Sequence, residues 1–283
     1  MQNLFRAKRA GSVPAMAFFV LFLTLFSILG SLFLAVGIGN PIDKVTHTLW
    51  ESQSLKQNAG KYLVSKTLEG ATGEERKLLI KKGPQISAAV TELLGNPLLH
   101  QQIDLISNSV YVYYTSGSES EVSVDLRPIV RLAFESLKFI DPQFSSAKSE
   151  IDKIDPIRLQ VQKDGPNISQ VKTGLNLAVI LLFILSLLML FLYAIFAKAL
   201  KDALRWVGLI IFLEGALLTT VYLVVDSLIA HQASISTESL AREALPLATH
   251  PLIAPFLTCG IIELLIGLAL FIGSFLQRQK ISE

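Results

Sequence analysis

The sequence predicts an all-α membrane protein: four transmembrane helices, with a mainly helical extracytoplasmic domain that contains a small two-stranded sheet. Three observations predict it. Four apolar runs are each long enough to cross a hydrocarbon core of about 30 Å, which takes about 20 helical residues. Lys and Arg gather at alternate ends of those runs. The stretch between the first and second run has the composition of a soluble domain.

Composition carries the same message. Only 17% of the 283 residues are charged and 51% are hydrophobic, with mean hydropathy +0.51. Globular chains carry about 25% charged residues, and the deficit here is confined to the apolar runs. Segment by segment, the expectation is a cytoplasmic N-terminus at 1–13, a first span at 14–38 and an extracytoplasmic domain at 39–173. A second span at 174–197, a cytoplasmic link at 198–205 and a third span at 206–228 follow. An outer loop at 229–250, a fourth span at 251–276 and a cytoplasmic tail at 277–283 complete the chain.

The first run is longer than the apolar core of a cleaved signal sequence, about 7–15 residues, and reads as an uncleaved anchor. Pro14 and Pro251 are expected in the first turns of their helices, where proline costs little. Orientation follows from the short flanks. Arg6, Lys8 and Arg9 precede the first span, Lys198, Lys201 and Arg205 fill the link, and Arg278 and Lys280 follow the fourth. The 229–250 segment has only Arg242. Both termini are therefore expected in the cytoplasm of a bacterial cell, in its plasma (inner) membrane. Trp206 and Tyr222 fall near span ends, as interfacial aromatics do.

Within 39–173, Thr72-Gly73-Glu74-Glu75 has the form of a capping box that starts a short helix. Gly83 should end that helix, with Lys81-Lys82 complementing its C-terminal dipole. Pro84 then opens another, with Ile86, Ala89, Val90, Leu93 and Leu94 on one face, and Gly95 ends it. Asn96-Pro97 reads as N-cap and first turn of a third helix, with Leu99, Ile103, Ile106 and Val110 inward. Its end carries Tyr111, Tyr113 and Tyr114, a core-edge cluster. A polar loop spans 115–121. After it the period becomes two: Val122, Val124 and Leu126 read as one strand, and Ile157, Leu159 and Val161 as its partner. Pro128 opens a helix between them, and Asp141-Pro142 begins another.

Several function classes are disfavoured. Basic and acidic residues balance in 39–173, so the domain presents no field for nucleic acid. Cys259, the only cysteine, lies in the fourth run, and no intrachain disulfide can form. Hydrolase, zinc-protease and phosphate-loop motifs are missing, and no cofactor is called for, so the reading is non-enzymatic. Asn167-Ile168-Ser169 matches a glycosylation acceptor that a bacterial origin makes inert. His47, His231 and His250 fall just beyond the span ends, with Asp43 and Asp226 nearby. They are weak metal candidates whose spacing fits no ligand motif.

Two residues stand out in the spans. Glu214 lies eight residues into the third and Glu263 twelve into the fourth, where an ionisable group is costly. Gly260, Glu263 and Gly267 share a face, continued by Ser274. Gly208, Gly215 and Thr219 form a comparable face on the third span, and Thr24, Ser27 and Ser31 one on the first. Small faces let helices approach, and hydroxyls can bond a carboxyl group. One reading is a proton or cation site between these spans. The other, preferred because no basic residue shares that depth, is a pair of protonated glutamates linking helices.

The segment Val124-Asp125-Leu126-Arg127-Pro128, the Asn96-Pro97 helix before it, and Ala203-Leu204-Arg205-Trp206-Val207-Gly208 at the third span resemble an uncharacterised, mainly actinobacterial family of integral membrane proteins. The resemblance implies an N-terminal anchor, a helical outer domain with that short strand, and three closing spans; it implies no catalytic residues. The topology, with Glu214-Gly215 early in the third span, is also similar to that of ABC permeases of the cell-division and macrolide-exporter type. Those have an amphipathic docking helix before the first span, whereas 1–12 shows no apolar stripe here and the link is short. The expectation is a cell-envelope protein whose outer domain binds a protein, lipid or cell-wall partner, with the bilayer and an envelope protein or second copy as its surroundings. A permease-like subunit or small transporter using Glu214 and Glu263 is the alternative.

Overall fold

In a computed structural model, residues 2–116, 122–138, 151–159, 168–197 and 200–276 are described. The chain forms two compact units: 1–39, 171–228 and 252–283 make the first, and 40–170 with 229–251 the second.

The first unit contains helix α1 (Gln2–Leu32), which ends in a π-helical turn at Phe33–Gly37. It also holds most of α7 (Ile168–Phe196), α8 (Leu200–Ile235) and α9 (Ser239–Leu276). All four are long and apolar enough to cross a membrane, over Ser12–Gly37, Ser169–Phe196, Lys201–Ile235 and Ser239–Phe275. Their surfaces are inverted relative to a soluble bundle. On α7, Leu177, Leu181 and Phe191 are about 60% exposed while Ser186 and Tyr193 are buried. Only a lipid solvent tolerates an apolar exterior of this extent, because lipid tails solvate leucine as well as a core does. The chain is thus built as a multi-pass membrane protein. At one end of the bundle, Ala15 and Phe19 of α1 pack with Tyr193 of α7 and Ala203 and Val207 of α8.

Helices α8 and α9 approach through glycine. A Cβ at Gly215 would stand 2.5 Å from the Gly260 carbonyl oxygen and 2.5 Å from the Leu264 nitrogen. One at Gly208 would stand 2.6 Å from the Phe271 nitrogen, beside the Gly267 carbonyl. The two glycine pairs are one heptad apart on each helix, which keeps both on one seam of the antiparallel pair. Backbone therefore meets backbone, as the small-residue faces predict.

The second unit holds α2 (Pro41–Glu51), α3 (Gln53–Gly70), α4 (Gly73–Leu94), α5 (Pro97–Ser116), β1 (Val122–Val124), α6 (Arg127–Lys138) and β2 (Ile157–Leu159). Capping side chains set the starts. The Asn40 side chain accepts from the Ile42 N–H at 3.0 Å, Ser52 from Leu55 at 3.2 Å, and Asn96 from Leu98 at 2.8 Å. Antiparallel α3 and α4 meet every four residues. Thr91 Oγ1 reaches the Lys56 carbonyl, a Cβ at Gly60 would strike Ser87, and Gly83 packs on Val64.

β1 and β2 pair, as expected, and do so antiparallel with Val122 opposite Leu159 and Val124 opposite Ile157; Leu126, expected in the first strand, lies beyond it. Val124 and Leu99 are buried. Ile103, Ile106 and Val110 are half-buried. Tyr113 is buried and set edge-on to an exposed Tyr114 with ring centroids 5.0 Å apart.

Five expectations need correction. First, α4 runs unbroken through Gly83-Pro84. Proline lacks a donor and crowds the preceding turn, but contacts with α3 on both sides, Ser87 to Gly60 and Gly83 to Val64, hold one axis. Second, Lys81 and Lys82 accordingly lie mid-helix and complement no terminus. Third, the Thr72 hydroxyl makes no cap bond. Gly73 has φ 57°, and a left-handed residue there removes the helical first turn that a capping box requires. Fourth, Pro14 and Pro251 lie inside α1 and α9 rather than in first turns, because helix extends upstream of both. Fifth, the 229–250 segment, expected as a loop, is helical except at 236–238 and belongs to the second unit. At 1.5 Å per residue α8 is about 54 Å long, well beyond the hydrocarbon core. Of the polar loop expected at 115–121, Thr115 and Ser116 belong to α5; the rest of it, the helix expected from Asp141-Pro142, Val161, Asn167 and the tail at 277–283 lie outside the described residues.

Candidate functional site

The first unit brings together the polar residues that the three small faces present. Thr24 and Ser27 are one turn apart on α1, and Ser31 lies one turn beyond. Thr24 Oγ1 bonds Glu214 Oε1 of α8, and Ser27 Oγ donates to Glu263 Oε1 of α9 at 2.5 Å. One helix thus holds both carboxyl groups. Backbone geometry makes this close. Gly215, next to Glu214, packs against the Glu263 backbone, so only a residue without a side chain lets the helices carry the acids to one place.

The site is dry. Glu214 is 7% exposed, Ser27 3% and Ser31 0%. The second carboxyl oxygen of each glutamate and the Ser31 hydroxyl are buried without a hydrogen-bond partner. Such atoms are rare in folded proteins and call for an occupant or a proton. Thr219 is otherwise engaged, donating to the Gly215 carbonyl at 2.8 Å. Near one end of the bundle, Arg205 stacks over Phe271 and Phe275 at 5.8 and 5.1 Å, so its charge is spent on aromatic faces.

The histidine candidates are not brought together: among the described residues no three His, Cys, Asp or Glu side chains converge in a way that could hold a metal ion. His47 pairs instead with Glu51 on its own helix at 3.4 Å, both side chains exposed.

The motif Val124-Asp125-Leu126-Arg127-Pro128 has a structural account. Asp125 accepts from the Arg127 backbone N–H at 2.9 Å and from its guanidinium at 2.8 and 2.7 Å. The aspartate thereby closes the turn from β1 into α6. The Arg127 hydrogen bonds hold its carboxyl well below the usual range, at about 2.

The second unit also carries a feature that the sequence did not reveal. An open cleft of about 1090 Å³ runs along α3 and α4. Val64, Leu68, Leu79, Ile80 and Pro84 line it, with Lys61 and Glu92 among its polar residues. Ile80 is 62% exposed and Leu78 beside it 53%. Reading α4 as two helices broken at Gly83 divided this surface into two short pieces and hid its length. The exposed Leu78 and Ile80, on either side of a half-buried Leu79, are the signal that was there to find.

Elsewhere in this unit, Glu243 near the start of α9 receives the Ser54 hydroxyl and, at 2.5 Å, the Asn58 amide, which fastens α9 to α3. Comparison with protein-family models, curated proteins and solved structures returns no match for this chain.

Proposed function

We propose that this chain is a non-enzymatic, multi-pass protein of a bacterial plasma membrane, with both termini in the cytoplasm. Its second unit faces outward and binds a partner in the cell envelope. The cleft along α3 and α4 carries this reading. It is open and runs between two antiparallel helices that give it an apolar lining from Val64, Leu68, Leu79, Ile80 and Pro84, the shape that accepts the apolar face of an amphipathic helix. The occupant favoured is therefore a helix of an envelope protein, completing a three-helix packing that two helices leave unfinished. The positive residues before 14, in 198–205 and after 276 support the orientation.

Site-specific photocrosslinking in native membranes tests it. A photoreactive side chain at Ile80 should give a discrete protein adduct, and one at Lys77 should not. A lipid or cell-wall adduct at Ile80, or none, would contradict the proposed occupant.

A second reading rests on a separate observation: two carboxyl groups buried in a bundle of spanning helices, as small transporters use. Co-purification of an ATPase near stoichiometry would favour the permease form of that reading. Retention of all function by Glu263→Gln would remove both forms.

A further inference from the structure

Within the second unit, α3 lines two different hollows. Gln57, Lys61 and Val64 line the cleft shared with α4, whereas Leu55, Lys56 and Ala59, on the other side of the helix, line a partly open pocket of about 220 Å³. α2, α4 and the start of α9 supply its remaining walls, Trp50 and Ala244 among them. Cleft and pocket share no residue, so the pocket is independent of what the cleft binds.

The pocket is held in shape by its surroundings. The Trp50 ring stacks on His100 with centroids 4.9 Å apart, and His100 Nε2 meets the Leu94 carbonyl at 2.8 Å. Glu243 receives the Ser54 hydroxyl and the Asn58 amide of α3, which fixes the neighbouring Ala244. Such a preformed hollow suits a ligand that enters without rearrangement.

The wall is carbon throughout. Thr46 turns its hydroxyl to the Asp43 carbonyl at 3.0 Å, and Lys56 contributes its aliphatic stem. A peptide or a polar metabolite would bring N–H and C=O groups that this wall cannot satisfy. A hydrocarbon tail brings none, and it supplies the dispersion contacts that an empty hollow lacks. At roughly 30 Å³ for a water-sized group in a liquid, the volume takes about seven such groups, the carbons of one octanoate tail. Lys56 adds a charge. Its ammonium makes no ion pair among the described residues, and a charged head on a half-buried stem turns towards water at the edge of the apolar wall. We propose that this pocket binds one medium-chain alkyl carboxylate, of about the length of octanoate, with its tail inward and its carboxylate at Lys56.

Trp50 makes the test direct, because it lines the pocket and Trp206 is the only other tryptophan. The full-length chain carrying Trp206→Phe, in lipid nanodiscs, is titrated with octanoate brominated on its terminal carbon while Trp50 fluorescence is read. The expected result is saturable quenching that plain octanoate reverses. Among competitors, affinity should rise about fourfold per methylene from butanoate to octanoate and level off by dodecanoate, when the pocket is full. Ala244→Leu, which puts a larger side chain into the pocket, should remove the quenching. Lys56→Gln should weaken octanoate binding by about fivefold at low salt. Absence of saturable quenching, or quenching unchanged in Ala244→Leu, would overturn the proposal and leave the pocket to an apolar side chain of a partner protein. Affinity that keeps rising to dodecanoate would overturn it in favour of simple partition into lipid. Stronger displacement by a short two-chain phosphatidylglycerol than by octanoate would replace the single-chain carboxylate with a phospholipid. Unchanged affinity in Lys56→Gln would overturn the position of the carboxylate. The chain-length series needs only the Trp206→Phe chain, so it decides between these outcomes even if Ala244→Leu fails to fold.

Discussion

Asp125 shows how one side chain sets the local structure. It caps the turn into α6 and clamps Arg127 through both carboxyl oxygens, and its carboxyl group is held at about 2, below its ordinary value near 4. A depressed folded-state value means the contribution is fully present above about pH 4 and disappears as pH falls towards 2. Thermal unfolding between about pH 5 and pH 2 should show this loss, and Asp125→Asn should flatten it. An unchanged acid profile in the variant would place the acid sensitivity elsewhere. Leu99, only 3% exposed, makes a complementary test of packing. Leu99→Ala should cost about 2–5 kcal/mol, whereas Leu98→Ala, at a position 56% exposed, should stay within about 0.5 kcal/mol.

At this scale the carboxyl site was legible because helical spacing alone puts Thr24 with Ser27 and Ser31, and Glu263 with Gly260 and Gly267, on common faces. The pairings of Asn40 with Ser107 and of Glu243 with Ser54 and Asn58 were not. They join residues far apart in sequence, and no periodicity records such a distance.

Among the elements, the α8–α9 pair depends on four glycines, and the dependence is steric. Gly215→Val or Gly260→Leu forces a side chain into backbone or the Thr219 hydroxyl, 2.5–2.6 Å from the ideal Cβ. The expected cost is about 1–3 kcal/mol, read as lower thermal stability of the detergent-solubilised chain. Gly273→Ala meets nothing within 4 Å and should be neutral or slightly stabilising, since alanine is the better helix former. Equal effects at both kinds of position would show that the close approach is not what holds the helices. Pro84 gives a second comparison. Because α4 is continuous, Pro84→Ala should preserve helix content and raise stability, having restored a donor in a helix interior.

The helices after Thr72 were readable in outline from apolar period and caps, and so was the pairing of the two strands; the register of that pair, and α2 and α3, were not. Helix extent was less legible. Gly83-Pro84 carries the local signal of a break, and only contact with α3 overrides it. Thr72 carries the signal of a capping box, which the left-handed Gly73 defeats.

For the whole molecule, the division of labour follows from the solvent each unit is made for. The first unit turns leucine outward and buries Ser27, Ser31, Ser186 and Glu214; the second mixes charges of both signs over its surface. α8 and α9 contribute to both, and the contribution of 229–251 was obscured because its composition is neither apolar enough for a span nor irregular enough for a loop. The proposed binding role requires the second unit to face away from the cytoplasm and the basic flanks of the first unit to face towards it. The most direct test is cysteine accessibility in a Cys259→Ser background, using a membrane-impermeant maleimide on intact spheroplasts. Arg76→Cys should label without permeabilisation, and Lys201→Cys only after it. The reverse pattern would place the α3–α4 cleft in the cytoplasm and contradict the account.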